Sequence, residues 1–118
     1  MGLAVTVRRI KNYSAETGYV YEYYFDSQRQ ADAGSEYVFI VSRDRKHRCP
    51  LRILVRHDAR TAWAQRHGRP LTGTEEYAAV KMRLFRAFDE VDDLEQAAAT
   101  LAVTSANVDA LLAALDIP

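Results

Sequence analysis

Residues 19–26 read YVYEYYFD, and the fold turns on this stretch. Tyr19, Tyr21, Tyr23 and Phe25 alternate with Val20, Glu22, Tyr24 and Asp26. Successive side chains of a strand point to opposite faces, and aromatic and β-branched residues fit a pleated, half-buried surface. The segment therefore reads as a strand with one aromatic face. Downstream, residues 36–43 (EYVFIVSR) repeat the pattern with Tyr37, Phe39 and Val41 on one side. Val38 and Ile40 on the other side predict that this face is partly covered. Residues 48–56 (RCPLRILVR) give a further strand, with Cys49, Leu51, Ile53 and Val55 inward and Arg48, Arg52 and Arg56 outward beside Leu54. Pro50 removes a ladder donor, which places it at an edge or a bulge. Upstream, residues 4–11 (AVTVRRIK) predict the first strand. Asn12 to Gly18 reads as a turn. Residues 27–35 (SQRQADAGS) read as a polar connection too long for a tight hairpin, and Asp44 to His47 as a charged hairpin turn.

Beyond residue 57 the pattern changes to helical spacing. Asp58 is a candidate cap for a helix running to about Arg66, with Ala62 and Trp63 packing, and Gly68-Arg69-Pro70 ends it. Thr72 or Thr74 caps the next helix, where Glu75 and Glu76 suit the positive end of the helix dipole. Its stripe is Tyr77, Val80, Leu84, Phe85 and Phe88, with Lys81 laid along the edge. From Asp92 the pattern predicts two short helices. Leu94, Ala97, Ala98 and Leu101 pack from the first, Val108, Leu111, Leu112 and Leu115 from the second, and a turn at Val103 to Ser105 joins them. The expected fold is α+β: a four-stranded, mostly antiparallel sheet, helices packed on one face, and a C-terminal helical hairpin. One domain spans residues 1–118, with the sheet in 1–57, two helices in 58–90 and the hairpin tail in 91–118.

The chain of 118 residues is long enough to bury a core without disulfides or a structural metal. Its single cysteine, Cys49, cannot form an intrachain disulfide. The N-terminus lacks the charged region and apolar run of a secretory signal, so a reducing cytoplasm is the expected compartment. No apolar run reaches membrane-spanning length. Met1-Gly2-Leu3-Ala4-Val5-Thr6 fits the permissive myristoylation pattern, but the same residues lead into the first expected strand. The net charge of zero conceals an asymmetry. Residues 1–73 hold 13 Lys/Arg against 7 Asp/Glu, and residues 74–118 hold 3 against 9. Such a distribution can steer a partner, or neutralise itself within one fold.

The candidate sites follow from charge and spacing. Arg43, Arg45, Lys46 and Arg48 cluster at one turn, Arg52 and Arg56 continue along a strand, and Tyr24 lies on the less regular face of its own strand. Basic groups with an aromatic platform are the recipe for single-stranded nucleic-acid binding. The bland reading of the same arginines is a solvated or protein-contacting sheet face. In the tail, the spacing of Ala97, Leu101 and Val108 is like that of a helix-turn-helix. However, Asn107 and the acidic Asp109, with no Lys or Arg from Val103 onward, cannot attract phosphate. His57, Asp58 and His67 are the candidate catalytic residues, because they follow the fourth strand and could line its mouth. Neither a phosphate-binding glycine loop nor a serine nucleophile elbow accompanies them. His47, Cys49, His57, Asp58 and His67 lack the paired spacing of a zinc site, so no metal or cofactor is implied. Trp63 among Arg60, Arg66 and Arg69 would serve as an interface anchor if exposed, and as core if not. Leu111, Leu112 and Leu115 are the other protein-interface candidates. The leading expectation is a non-catalytic interaction module that binds a protein partner or itself. Nucleic-acid binding is the second reading, and an enzyme with a site near His57 and His67 the third.

Overall fold

The computed structural model describes residues 9–90, 94 and 101–115. Strands β1 (Lys11–Ser14), β2 (Val20–Ala31), β3 (Gly34–Ser42) and β4 (Cys49–Arg56) come first. Helices α1 (His57–His67) and α2 (Gly73–Glu90) follow, then strand β5 (Ala102–Val103) and helix α3 (Val108–Ala113). The result is an α+β fold in which one curved, half-barrel sheet of order β1-β2-β3-β4-β5 is followed by helices. Strands β1 to β4 form an antiparallel meander, and β5 adds in parallel beside β4. A parallel neighbour needs a crossover, and the span holding α1 and α2 supplies it.

The register sorts the residues into two faces. Lys11–Tyr23–Val41–Cys49, Phe25–Phe39–Leu51 and Gln28–Tyr37–Ile53 form rows on the helix-covered face. Tyr24–Ile40–Pro50, Ser27–Val38–Arg52 and Arg29–Glu36–Leu54 form rows on the other. Helix α2 presents Ala79, Val80, Leu84, Ala87 and Phe88, all fully buried, to the covered face. Phe88 stacks on Tyr21 at 4.3 Å between ring centroids, and Phe85 stacks on Tyr13 at 4.4 Å. Such ring pairs add to the area they bury. Thr72 and Glu75 close a capping box at the start of α2. The Glu75 N–H donates to Thr72 Oγ1 at 3.1 Å, and the Thr72 N–H donates to Glu75 Oε1 at 3.0 Å.

Several expectations are corrected. The first described strand is Lys11–Ser14, so Asn12, Tyr13 and Ser14 belong to a strand and the turn shrinks to residues 15–18. Residues 4–8 of the expected first strand lie outside the described residues. The supposed connection 27–35 is mostly sheet: β2 continues to Ala31, and only Asp32 and Ala33 separate it from β3. A bulge between Phe25 and Ser27 breaks the alternation there, and it turns Gln28 and Gln30 toward the covered face. Gly34 then fits because a Cβ at that position would lie 1.8 Å from the Val55 carbonyl oxygen. Asp58 does not cap α1. Arg56 is its N-cap with no side-chain cap, and the His57 N–H donates instead to the Ala33 carbonyl at the hairpin tip, at 2.9 Å. Ala59 rather than Ala62 joins Trp63 in the core. Ala102 and Val103 form β5, so part of the expected turn is a strand, and Leu115 is 42% exposed rather than packed. Leu94 is helical and buried; residues 95–100, which carry most of the first expected tail helix, lie outside the described residues.

Candidate functional site

Three places gather polar side chains. The first is a knot where the β2–β3 hairpin, α1 and α2 meet. Arg60, one turn into α1, sends Nε to Glu76 Oε1 at 2.5 Å and a terminal nitrogen to Ser35 Oγ at 2.6 Å. Its other terminal nitrogen lies 3.3 Å from His57 Nδ1. Tyr37 donates its hydroxyl to the second oxygen of Glu76, and Ser35 donates to Gln30 Oε1 at 3.2 Å. Burial is the largest influence on Glu76 and opposes its charge. The hydrogen bonds from Arg60 and Tyr37 outweigh it, so the carboxyl stays below its ordinary range. Burial, then the bond to Glu76, pushes the Tyr37 hydroxyl well up, and the same carboxylate raises Arg60. Both oxygens of Glu76 and all three guanidinium nitrogens of Arg60 have neighbours, so the knot holds the hairpin, α1 and α2 together.

The second place joins α1 to α3. Arg66 Nε and His67 Nε2 reach the two oxygens of Asp109 at 2.5 and 2.6 Å. Arg66 also donates to the Ser105 carbonyl at 2.9 Å. The His67 ring stacks on Trp63 at 3.6 Å, and Trp63 is 1% exposed, the core reading of that residue. Its Nε1 has no partner among the described residues. Leu111 and Leu112 are fully buried against this region, so of the three tail leucines only Leu115 is exposed. Asn107 is committed to the turn: its Oδ1 accepts from the Thr104 N–H at 2.8 Å, and its Nδ2 donates to the Ala102 carbonyl at 3.0 Å.

His57 and His67 stand at opposite ends of α1, about 15 Å apart along the axis at 1.5 Å per residue. Asp58 turns away to Arg56 at 3.2 Å. The structure therefore does not bring His57, Asp58 and His67 together. Among the described residues no three His, Cys, Asp or Glu side chains are grouped as metal ligands.

The third place is the face turned away from the helices, uncovered in the sense that no described helix lies on it; Val38 and Ser42 are nonetheless buried there, at 8% and 3% exposure, so it is partly covered, as Val38 and Ile40 predict. Tyr24, Arg48, Arg52 and Arg56 belong to it, and Ile10, Tyr24, Ile40 and Arg48 line one shallow crevice there. Arg43 does not belong. It shares parity with Val41 and places its guanidinium 4.4 Å from the Tyr19 ring centroid. Arg45 and Lys46 occupy the β3–β4 turn. That turn is built by Asp44, whose Oδ1 accepts from the Lys46 and His47 N–H groups at 2.8 Å each. The backbone bond from His47, then the His47 ring, holds the Asp44 carboxyl far below the usual carboxylate range. Carboxylates interrupt the expected basic stripe. Glu36 takes Arg29 at 2.7 Å and Arg52 at 3.7 Å, Glu22 lies 3.9 Å from Arg45, and Asp58 takes Arg56. Lys46 and Arg48 make no ion pair among the described residues. The sequence reading saw the arginines and missed Glu22 and Glu36 as their partners. The signal was present in outward positions on neighbouring strands, but pairing them requires the register.

Comparison with protein-family models, with curated proteins and with solved structures returns no match. No described helix is long and apolar enough to cross a membrane.

Proposed function

We propose that this protein is a non-catalytic interaction module whose uncovered sheet face pairs with a second copy of the chain. The observation that carries the reading is the composition of that face. It is half apolar, with Val20 45% exposed and Ile10 50% exposed beside Tyr24, Ile40 and Leu54. Its charges alternate in sign, Glu22 and Glu36 among Arg29, Arg48 and Arg52. A two-fold contact sets one patch against itself, so a face bearing both signs is self-complementary where a purely basic one repels its copy. The test is sedimentation velocity over a concentration series, with Tyr24→Glu and Val20→Lys as variants. Association of the wild type that weakens in both variants supports the reading. A wild-type chain that stays monomeric throughout the series contradicts it.

One observation favours single-stranded nucleic acid as the second reading: Arg48, which makes no ion pair among the described residues, lines one crevice with Tyr24. Fluorescence anisotropy with labelled single-stranded DNA and RNA tests it. Saturable binding that weakens with salt and falls in Arg48→Glu would place this reading first.

A further inference from the structure

A cavity of about 370 Å³ opens where α1 meets α3, lined by Trp63, Arg66, His67, Asp109 and Ala113. Helical spacing gathers these five residues. Trp63 and His67 are four apart on α1, with Arg66 between them, and Asp109 and Ala113 are four apart on α3. Each helix therefore turns one face toward the cavity. Both helices are anchored in the core, α1 by Ala59 and Trp63, α3 by Val108, Leu111 and Leu112. Gly68, at a φ of 71°, ends α1 directly after His67, with its N–H on the Ala64 carbonyl at 2.9 Å.

The polar groups of the lining have a defined sense. A carboxylate only accepts hydrogen bonds, so His67 Nε2, 2.6 Å from Asp109 Oδ1, carries a proton. Nδ1 of the neutral imidazole is then an acceptor, and no described residue donates to it. Arg66 commits Nε to Asp109 and Nη2 to the Ser105 carbonyl. Its Nη1 has no partner among the described residues. One donor and one acceptor, tethered to the same carboxylate, are thus left over in the lining. The charges of Arg66 and Asp109 cancel. The His67 ring, stacked on Trp63 at 3.6 Å and 21°, and the Ala113 methyl supply the apolar wall.

We propose that this cavity binds a small, neutral, planar amide, either the cyclic amide edge of a pyrimidine base or a carboxamide on an aromatic ring. The amide oxygen accepts from Arg66 Nη1, and the amide N–H donates to His67 Nδ1. The flat body of the ligand lies along the wall of His67 and Ala113. The volume falls within the range of about 300–1,000 Å³ usual for small-ligand pockets. A carboxylate in the same place gains Arg66, but it meets the charge of Asp109 and brings no proton for Nδ1. A site with a polar group left unpaired rejects the ligand that cannot pair it. The cavity includes no residue of the uncovered sheet face, so the proposal stands apart from self-association.

Trp63 is the sole tryptophan, so its fluorescence reports on this cavity alone. The experiment is a titration of the full chain with uracil and, separately, with benzamide and benzoate. It is run at mildly alkaline pH, where an imidazole is neutral, and is followed by Trp63 emission and by the NMR signal of the Ala113 methyl. The expected result is a saturable change at both residues with at least one of the two amides, and binding of benzoate weaker by about tenfold or more. Uracil preferred over benzamide assigns a pyrimidine base, and benzamide preferred over uracil assigns an aromatic carboxamide. Ala113→Leu narrows the cavity, and His67→Phe keeps a ring against Trp63 while removing Nδ1. Each should weaken binding by about tenfold or more. Ala114→Leu adds the same bulk one residue on, outside the lining, and should leave binding unchanged. Ala113 is exposed, and an unchanged melting midpoint in Ala113→Leu separates lost binding from lost folding. Changes that fail to saturate with both amides, or that persist undiminished in Ala113→Leu and His67→Phe, overturn the proposal. So does benzoate binding as tightly as the amides.

Discussion

The same strands build both faces of the sheet, yet the two faces do opposite things with their side chains. On the covered face, Tyr21, Tyr23, Phe39, Leu51 and Ile53 are buried under α2, and the polar groups there are tied off by Glu76 and Arg60. On the uncovered face, Ile10 and Val20 remain half exposed, and in the pair of Arg52 with Glu36 the Arg52 side chain is 52% exposed. Burial makes each contact on the covered face count toward stability, because neither ring nor carboxylate has water as an alternative. Solvent competition makes the uncovered pairs nearly neutral for folding, and so leaves that face free to serve binding.

This contrast orders the expected effects of substitution. Phe88→Ala removes a ring stacked on Tyr21 in the fully buried row, and it should cost about 3–5 kcal/mol in urea denaturation. A loss under about 1 kcal/mol would mean that α2 does not seal the covered face as described. Arg60→Met strands the Glu76 carboxylate, and should cost about 2–3 kcal/mol. Adding Glu76→Gln to Arg60→Met should recover part of this loss, since an amide tolerates burial better than a charge. An additive double mutant would instead show that the two residues act separately.

The capping box gives a smaller effect with a pH signature. Arg69 first, then the Thr72 N–H, holds the Glu75 carboxyl down to about 2 from its ordinary value of 4.5. Depression in the folded state means that this stabilisation is complete above about pH 4.5 and is lost as pH falls toward 2. Denaturation midpoints measured across that window should therefore fall less steeply in Glu75→Gln than in the wild type. Thr72→Ala should cost about 1 kcal/mol at neutral pH. Smallest of all, Arg52→Gln should change stability by under about 1 kcal/mol while altering any association through that face.

The sequence made much of this contrast readable. Alternation in residues 21–23, 37–41 and 51–55 matches the buried rows, because a period of two is a direct consequence of the pleat, while Tyr19 and Phe25 at the ends of the first run are 47% and 37% exposed. The helical stripe from Val80 to Phe88 was equally direct. What failed was polar sheet. The segment SQRQA has no β-branched residue, and only its pairing with β3 makes it strand. β5 is two residues long and has no period to detect. The polar knot joins residues 30, 35, 37, 60 and 76, and the Asp109 cluster joins 66, 67 and 109. Such groupings depend on crossover geometry and register, which no local pattern encodes. His57 and His67 show the converse. They are close in sequence, and a straight helix holds them apart.

The central claim is that stability resides on the covered face and association on the uncovered one. Concentration-dependent chemical-shift mapping of the full chain tests it most directly. The account predicts that, as concentration rises, signals of Val20, Tyr24, Ile40, Arg48, Arg52 and Leu54 shift while those of Leu84, Phe88 and Trp63 do not. Shifts confined to α2 or α3, or none at any concentration, would contradict it.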